Sequence, residues 1–338
     1  MWLAAFTATA TAGGLTFKSA DDAKRQGIAA FNGGYYEIAL PALEAVAEAD
    51  PNVGRFYIAR IYSDNDGAYT DHAKAFAIFK QLADDLQEVD PDDDALAPIA
   101  AKSLTAVSSY LREGIADAGV KPDVAAADSA LQRAALTFNN EDAQFELAKV
   151  LLRGEGPDIT LGGQGDFSSK IENGRHWLSR LSRGGHAGAQ AFLADLLWRG
   201  KFVEKDQPAA LNLIDVAVAH APPHERVWIE DIYQNIFCHA GQGVRQQATG
   251  RVAEWHDRYG RRQENKTDKS GLDDLAAEPV RTCANGEVVR PIGEATPPVT
   301  ASQSPPSEFG HEVSTPPAFA PADAAPNPST SFSVAPQQ

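Results

Sequence analysis

Apolar and small residues recur along the first two-thirds of this chain at helical spacing, and the helices they predict recur in turn. The pattern is clearest in Glu141–Gly156, which closes on Ala148-Lys-Val-Leu-Leu-Arg-Gly-Glu-Gly156. Related closings are Ala59-Arg-Ile-Tyr-Ser-Asp-Asn-Asp-Gly67, Ala106-Val-Ser-Ser-Tyr-Leu-Arg-Glu-Gly114 and Ala194-Asp-Leu-Leu-Trp-Arg-Gly-Lys-Phe202, the last with its turn at Gly200. Their leading alanines, Ala59, Ala106, Ala148 and Ala194, step by 47, 42 and 46 residues. A near-constant period in this range is what stacked helical hairpins produce, since each hairpin buries its apolar face only against a neighbour.

A second signature follows each turn: a small residue with an apolar one four positions later. The pairs are Ala75/Phe79, Ala127/Leu131, Gly174/Leu178 and Ala210/Ile214, with Ala39/Leu43 near the start. Spacing of four keeps both members on one helical face, and a small residue there lets a second helix approach closely. The unit is therefore helix, short link, helix, glycine turn. Helices are expected at Lys18–Asn32, Tyr35–Asp50, Val53–Ser63, His72–Leu86, Ala95–Arg112, Asp123–Phe138, Glu141–Leu152, His176–Arg183, Ala187–Arg199, Pro208–His220 and Glu225–His239. Gln246–Tyr259 reads as a capping helix for the open end of the stack.

The chain is thus expected to be all-α, an α-solenoid of stacked antiparallel hairpins over residues 18–262. Residues 1–17 read as a leader. Their apolar run ends in Ala8-Thr-Ala10 and Ala10-Thr-Ala12, either of which suits a signal peptidase, but a basic front is lacking. A secretory signal missing its front and a plain Ala/Thr leader both stay open. Residues 263–338 change character: twelve of the twenty-one prolines lie in Pro279–Pro336, and no Lys or Arg follows Arg290. Such a composition buries too little apolar surface to offset chain entropy, so this tail is expected to be disordered.

Charge and cysteine content narrow the partners. The 338 residues carry a formal charge of −16, which argues against nucleic acid or an anionic membrane surface. No apolar run is long enough to span a bilayer. Two cysteines, Cys238 and Cys283, exclude a disulfide framework or a multi-cysteine metal centre. In an oxidising compartment they would bridge and pin the tail to the solenoid; otherwise Cys238 is a buried free thiol and Cys283 an exposed one.

Candidate chemistry is thin. Asp84–Asp94 holds seven carboxylates in eleven residues, but without the acid order of a calcium loop it reads as a solvated link. Leu161-Gly-Gly-Gln-Gly165 lacks the preceding strand and closing Lys-Ser/Thr of a phosphate loop, and reads as an insertion within Asp158–Glu172. His220 and His224 are four apart, yet Pro222-Pro223 breaks the helix that would align them. No catalytic motif, cofactor or metal is expected. Arg112, Arg153 and Arg199 stand at equivalent ends of the second helix of each hairpin. They are candidates for a partner-binding surface, or simply favourable charges against the helix dipole.

The link Gly185-His186-Ala187-Gly188-Ala189-Gln190 and the turn Gly154-Glu155-Gly156 resemble the Sel1-like repeat family, itself TPR-like; the other copies are degenerate. A narrower likeness rests on Ser109–Ile115, on Gln132–Phe138 with the stretch after it, and on Trp177-Leu-Ser-Arg through Gln190. These resemble the periplasmic Sel1-repeat negative regulators of exopolysaccharide production (the ExoR type) of alphaproteobacteria. That resemblance implies an exported, non-enzymatic protein. It would bind the periplasmic domain of a membrane sensor histidine kinase and hold its two-component system off. It carries no catalytic residues to transfer. The competing expectation is an interaction scaffold or adaptor for an envelope or intracellular assembly with no signalling role.

Overall fold

Most helices of this protein begin where a short polar side chain takes the first free backbone N–H, the role that favours Ser, Asp and Asn at such positions. In the computed structural model, Ser19, Asp50, Asp71, Asp123, Asn140, Ser169, His186 and Asp206 all do so. The structure describes residues 10–12, 15–65, 67–157, 169–222, 225–260 and 281–292. The expectations placed on the start of the leader, the 161–165 run, His224 and most of the tail lie outside the described residues.

A short antiparallel strand pair, β1 (Ala10–Ala12) and β2 (Leu15–Phe17), precedes α1 (Ala20–Asn32). Five hairpins follow: α2/α3 (Tyr36–Ala49, Pro51–Tyr62), α4/α5 (His72–Asp85, Ala97–Glu113), α6/α7 (Val124–Gln132, Glu141–Leu152), α8/α9 (Lys170–Arg183, Ala187–Arg199) and α10/α11 (Gln207–Ala219, Arg226–His239). Two short helices, α12 (Gln242–Thr249) and α13 (Val252–Tyr259), close the array. Within α2–α11 each hairpin packs against the next, and α1, α3, α5 and α7 also touch in succession, as do α9 and α11. This is an α-solenoid.

The two sequence signatures meet in the core. Both members of all five small/apolar pairs are buried. Gly174 on α8 lies so near α7 that a Cβ would stand 2.9 Å from the Ala148 carbonyl oxygen. The small residue of one signature thus seats on the leading alanine of the other.

Three boundaries differ from expectation. The helix expected to run to Phe138 passes at Arg133–Thr137 into a π-helical turn, which keeps Ala134 and Ala135 both buried against α5 and α7. Helix α8 starts at Lys170, not His176, because Ser169 caps it. The terminal helix is two helices, broken at Gly250-Arg251.

The largest correction concerns the tail. Residues 281–292, assigned on composition to the disordered segment 263–338, fold back onto α10, α11 and α12. Composition counts apolar side chains, and this segment buries only Cys283 and Ile292. It is held instead by a Cys238–Cys283 disulfide and by hydrogen bonds to Asp215, Tyr233 and Gln234. Helix α10 beneath it is buried continuously from Ala210 to Ala217, Asn212 and Asp215 included, because α9, α11, α12 and α13 wrap it.

Candidate functional site

Within a hairpin, the link is built from one residue set used twice. Asn139 and Gly185, 46 residues apart, both take positive φ, 47° and 85°. Asn140 Oδ1 accepts from the Ala143 N–H, and His186 Nδ1 accepts from the Ala189 N–H. Gln144 Nε2 donates to the Ala135 carbonyl at 3.0 Å, and Gln190 Nε2 to the Ser182 carbonyl at 2.9 Å. The glutamine satisfies a carbonyl at the end of the preceding helix that would otherwise be buried unpaired. The repeat-signature residues Gly185, His186 and Ala189 are thus linker chemistry. Ala59, Ala148 and Ala194 are core, with Ala106 partly buried. Gly114, Gly154, Gly156 and Gly200 adopt the positive φ their turns need, whereas Gly67 does not.

A charged cluster spans three hairpins at this link. His186 Nε2 lies 3.3 Å from Asp142 Oδ1, and Lys102 Nζ lies 3.5 Å from the other oxygen. The His186 hydrogen bond holds the Asp142 carboxyl down at about 2. Glu225, which comes within 3.0 Å of where a Gly188 Cβ would sit, is pushed up by burial.

The three arginines differ in exposure and in partners. Arg112 is largely covered: it pairs with Asp128 of α6 and reaches Glu155 at 4.0 Å, so it joins α5 to α6 and is not the exposed side chain expected of it. Arg153 is exposed and also meets Glu155, at 3.3 Å. Arg199 is exposed and pairs with Asp195 on its own helix.

Two of the open cavities lie along the middle of the array. One, of about 360 Å³, is bordered by Asp93, Asp94, Lys102, Glu141 and Asp142. The other, of about 400 Å³, lies between α8 and α9 and is bordered by Arg175, His176, Arg183 and Val203. In the acidic link, Asp93 Oδ1 accepts from the Ala95 and Leu96 N–H groups and Asp90 Oδ1 from that of Asp92. These carboxylates serve the turn itself.

The C-terminal end holds a polar centre that the sequence reading missed. Asp215, buried in α10, accepts from Tyr233 at 3.1 Å, from the Ile292 N–H at 2.9 Å and from His256 Nε2 at 3.0 Å. A buried carboxylate is tolerated when its lone pairs are met in this way. Burial and the Asp215 carboxylate raise the Tyr233 phenol well above its ordinary range. His220 lies near His256, the rings tilted by 41°, and donates from Nδ1 to the Val216 carbonyl. A lone Asp in the apolar run Ala210–Ala217 was the signal available. Among the described residues no His, Cys, Asp and Glu group suits a metal ion, and no helix is long and apolar enough to cross a membrane.

No protein-family model matches the chain. Over 222 residues it is 28% identical to an exopolysaccharide production negative regulator of Rhizobium meliloti (strain 1021), covering 66% of this chain and 76% of that protein. It is 29% identical to the protein of the same description from Rhizobium leguminosarum bv. viciae, covering 66% and 77%. Among solved structures it is similar to a protective antigen of uropathogenic Escherichia coli with an SLR fold. The identity there is 18% and the TM-score 0.43, covering 78% of this chain and 52%, about half, of that one. It is also similar to a Sel1 repeat protein of Oxalobacter formigenes, at 17% identity and TM-score 0.42, covering 70% and 82%.

Proposed function

We propose that this chain is a non-enzymatic, exported repeat protein that negatively regulates exopolysaccharide production. It does so by binding the periplasmic sensor domain of a membrane histidine kinase and holding that two-component system off. The observation carrying this reading is the 222-residue similarity to two curated negative regulators, a length comparable to the hairpin array itself. Geometry is consistent with it: a solenoid offers a long surface of repeated ridges and links, suited to a protein partner. The exposed Arg153 and Arg199 are proposed contacts, and the acidic groove at Asp93, Asp94 and Glu141 is where a basic partner segment would meet the array. A disulfide within the fold supports an oxidising compartment.

Two measurements test this. Deleting the gene is expected to raise exopolysaccharide output, with restoration by the intact chain. Detergent-solubilised kinase is expected to co-purify with the protein, and absence of association at micromolar concentration would sink the kinase reading. If transcription is unchanged on deletion while an envelope complex fails to assemble, the adaptor reading takes its place.

A further inference from the structure

The segment 281–292 presents features that the regulatory reading does not use. It is tied to the array by Cys238–Cys283 and by a set of partly exposed polar contacts. Arg245 of α12 grips Glu287, Arg281 meets Glu230 at 3.1 Å and Asp231 at 2.5 Å, and Gln234 donates to the Thr282 carbonyl. Beneath the segment lie the buried Tyr233, which donates to the Arg290 carbonyl, and the Asp215 centre that takes the Ile292 N–H. The disulfide is not sealed in: both cysteines border an open cavity of about 470 Å³ beside Gln234 and His239, and Cys238 is the more exposed of the two.

We propose that Cys238–Cys283 is a thiol–disulfide exchange site, taking a dithiol reductant as its reagent, and that its reduction releases residues 281–292 from the α10–α12 face. One thiolate of the dithiol attacks Cys238 Sγ, forms a mixed disulfide and expels Cys283 as a thiolate. The second thiolate of the reagent then displaces Cys238. The reagent leaves as a disulfide, oxidised by two electrons, and the two cysteines take up protons. Access decides which disulfides react this way, and here the cavity supplies it. Partly exposed ion pairs are individually weak, so without the covalent tie the segment keeps only those pairs, the hydrogen bonds to Asp215, Tyr233 and Gln234, and the buried Ile292. Release takes the Arg290 carbonyl from Tyr233 and withdraws one donor from Asp215. The regulated quantity is exposure of this face, independent of the identity of any partner.

The test uses the full-length chain, compared as purified under air and after treatment with dithiothreitol. Alkylation is expected to find both cysteines blocked before treatment and both free after it. Hydrogen exchange is expected to quicken about tenfold or more at 281–292 and at the last turns of α11, with α7 and α8 unchanged. Cys283→Ser should show the released pattern with no reductant. Glu287→Gln, which keeps both cysteines, should be reduced about two- to fivefold faster, as loss of one partly exposed ion pair allows. Free thiols in the untreated protein would overturn the proposal. So would unchanged protection at 281–292 after reduction. Loss of protection throughout α2–α9 would make the bond a general staple of the fold and overturn it equally.

Discussion

The links in the middle of the array and its C-terminal end are fixed in different ways. Between α6 and α9 each link is fixed by contacts short in sequence: Gln144 to Ala135 and Gln190 to Ser182 span nine and eight residues, and His186 to Asp142, 44 apart, ties one link to the next. The glutamine contacts are repeated with a 46-residue offset and join each helix to its immediate neighbour. At the end, the fixing contacts are long: His256 and Ile292 reach Asp215 across 41 and 77 residues, and the disulfide spans 45. An internal repeat has neighbours on both sides to bury its faces, so local links suffice. Among the described residues no further hairpin follows α10/α11, and α12, α13 and the returning segment cover that end of the array. Gln190 joins the two regimes, since its amide also donates to the Tyr259 carbonyl of α13 at 2.7 Å.

Substitutions can break this contrast. The largest effect is expected from Asp215→Ala, which strands the buried Ile292 N–H, leaves Tyr233 with the Arg290 carbonyl alone and removes the partner of the half-buried His256, at a cost of about 3 kcal/mol. Hydrogen exchange should place the loss in α10–α13 and 281–292, with α2–α5 spared. Gly174→Ala comes next, at about 2 kcal/mol, because two backbone atoms, the Ala148 carbonyl oxygen and the Leu152 nitrogen, stand 2.9 Å from its methyl together with Leu152 Cγ. Denaturant unfolding measures it, and exchange should quicken in α7 and α8. Gln144→Ala should cost about 1–2 kcal/mol by leaving the Ala135 carbonyl unpaired, again felt only by adjacent hairpins.

The smallest effects are electrostatic and sharpen the same contrast. Asp142 has its carboxyl lowered from 3.8 to about 2 in the folded chain, so the stability it contributes is present above pH 3.8 and lost as pH falls toward 2. Glu225 has the opposite sign: its carboxyl is raised from 4.5 by burial, so its contribution favours low pH and is lost as pH rises through the raised value. Glu225→Gln is therefore expected to raise thermal stability slightly at neutral pH, by roughly 0.5 kcal/mol or less. A fall in Tm on that substitution would show that the carboxylate is needed beside His186.

The middle was legible because local chemistry repeats. Ala148, Gly154, Gly174 and the Gly185–Gln190 link are set by helix approach, left-handed turns and caps, which act within a few residues of themselves. The expected surface role of Arg112 failed for a related reason: its place at a helix end was readable, but Asp128, 16 residues on, was not readable as its partner. The Asp84–Asp94 run is a link only from Leu86 on: Asp84 and Asp85 end α4 and pair with Lys80 and Arg55, and Asp90 and Asp93 accept the N–H groups of the turn.

By itself the sequence determined the class of fold, the hairpin period, the small/apolar seats and the absence of a sustained apolar span, because periodicity and capping are short-range constraints. Tertiary structure alone decided that Asp215 is the centre of the C-terminal end, that Cys238 meets Cys283, and that residues 281–292 belong to the folded array. The two cysteines have only each other, and what stayed open was whether they meet; the first and last depend on which of many distant groups finds a given one. That choice is made by the packing of α10 among four helices and a returning strand of chain, not by anything within ten residues of the groups concerned.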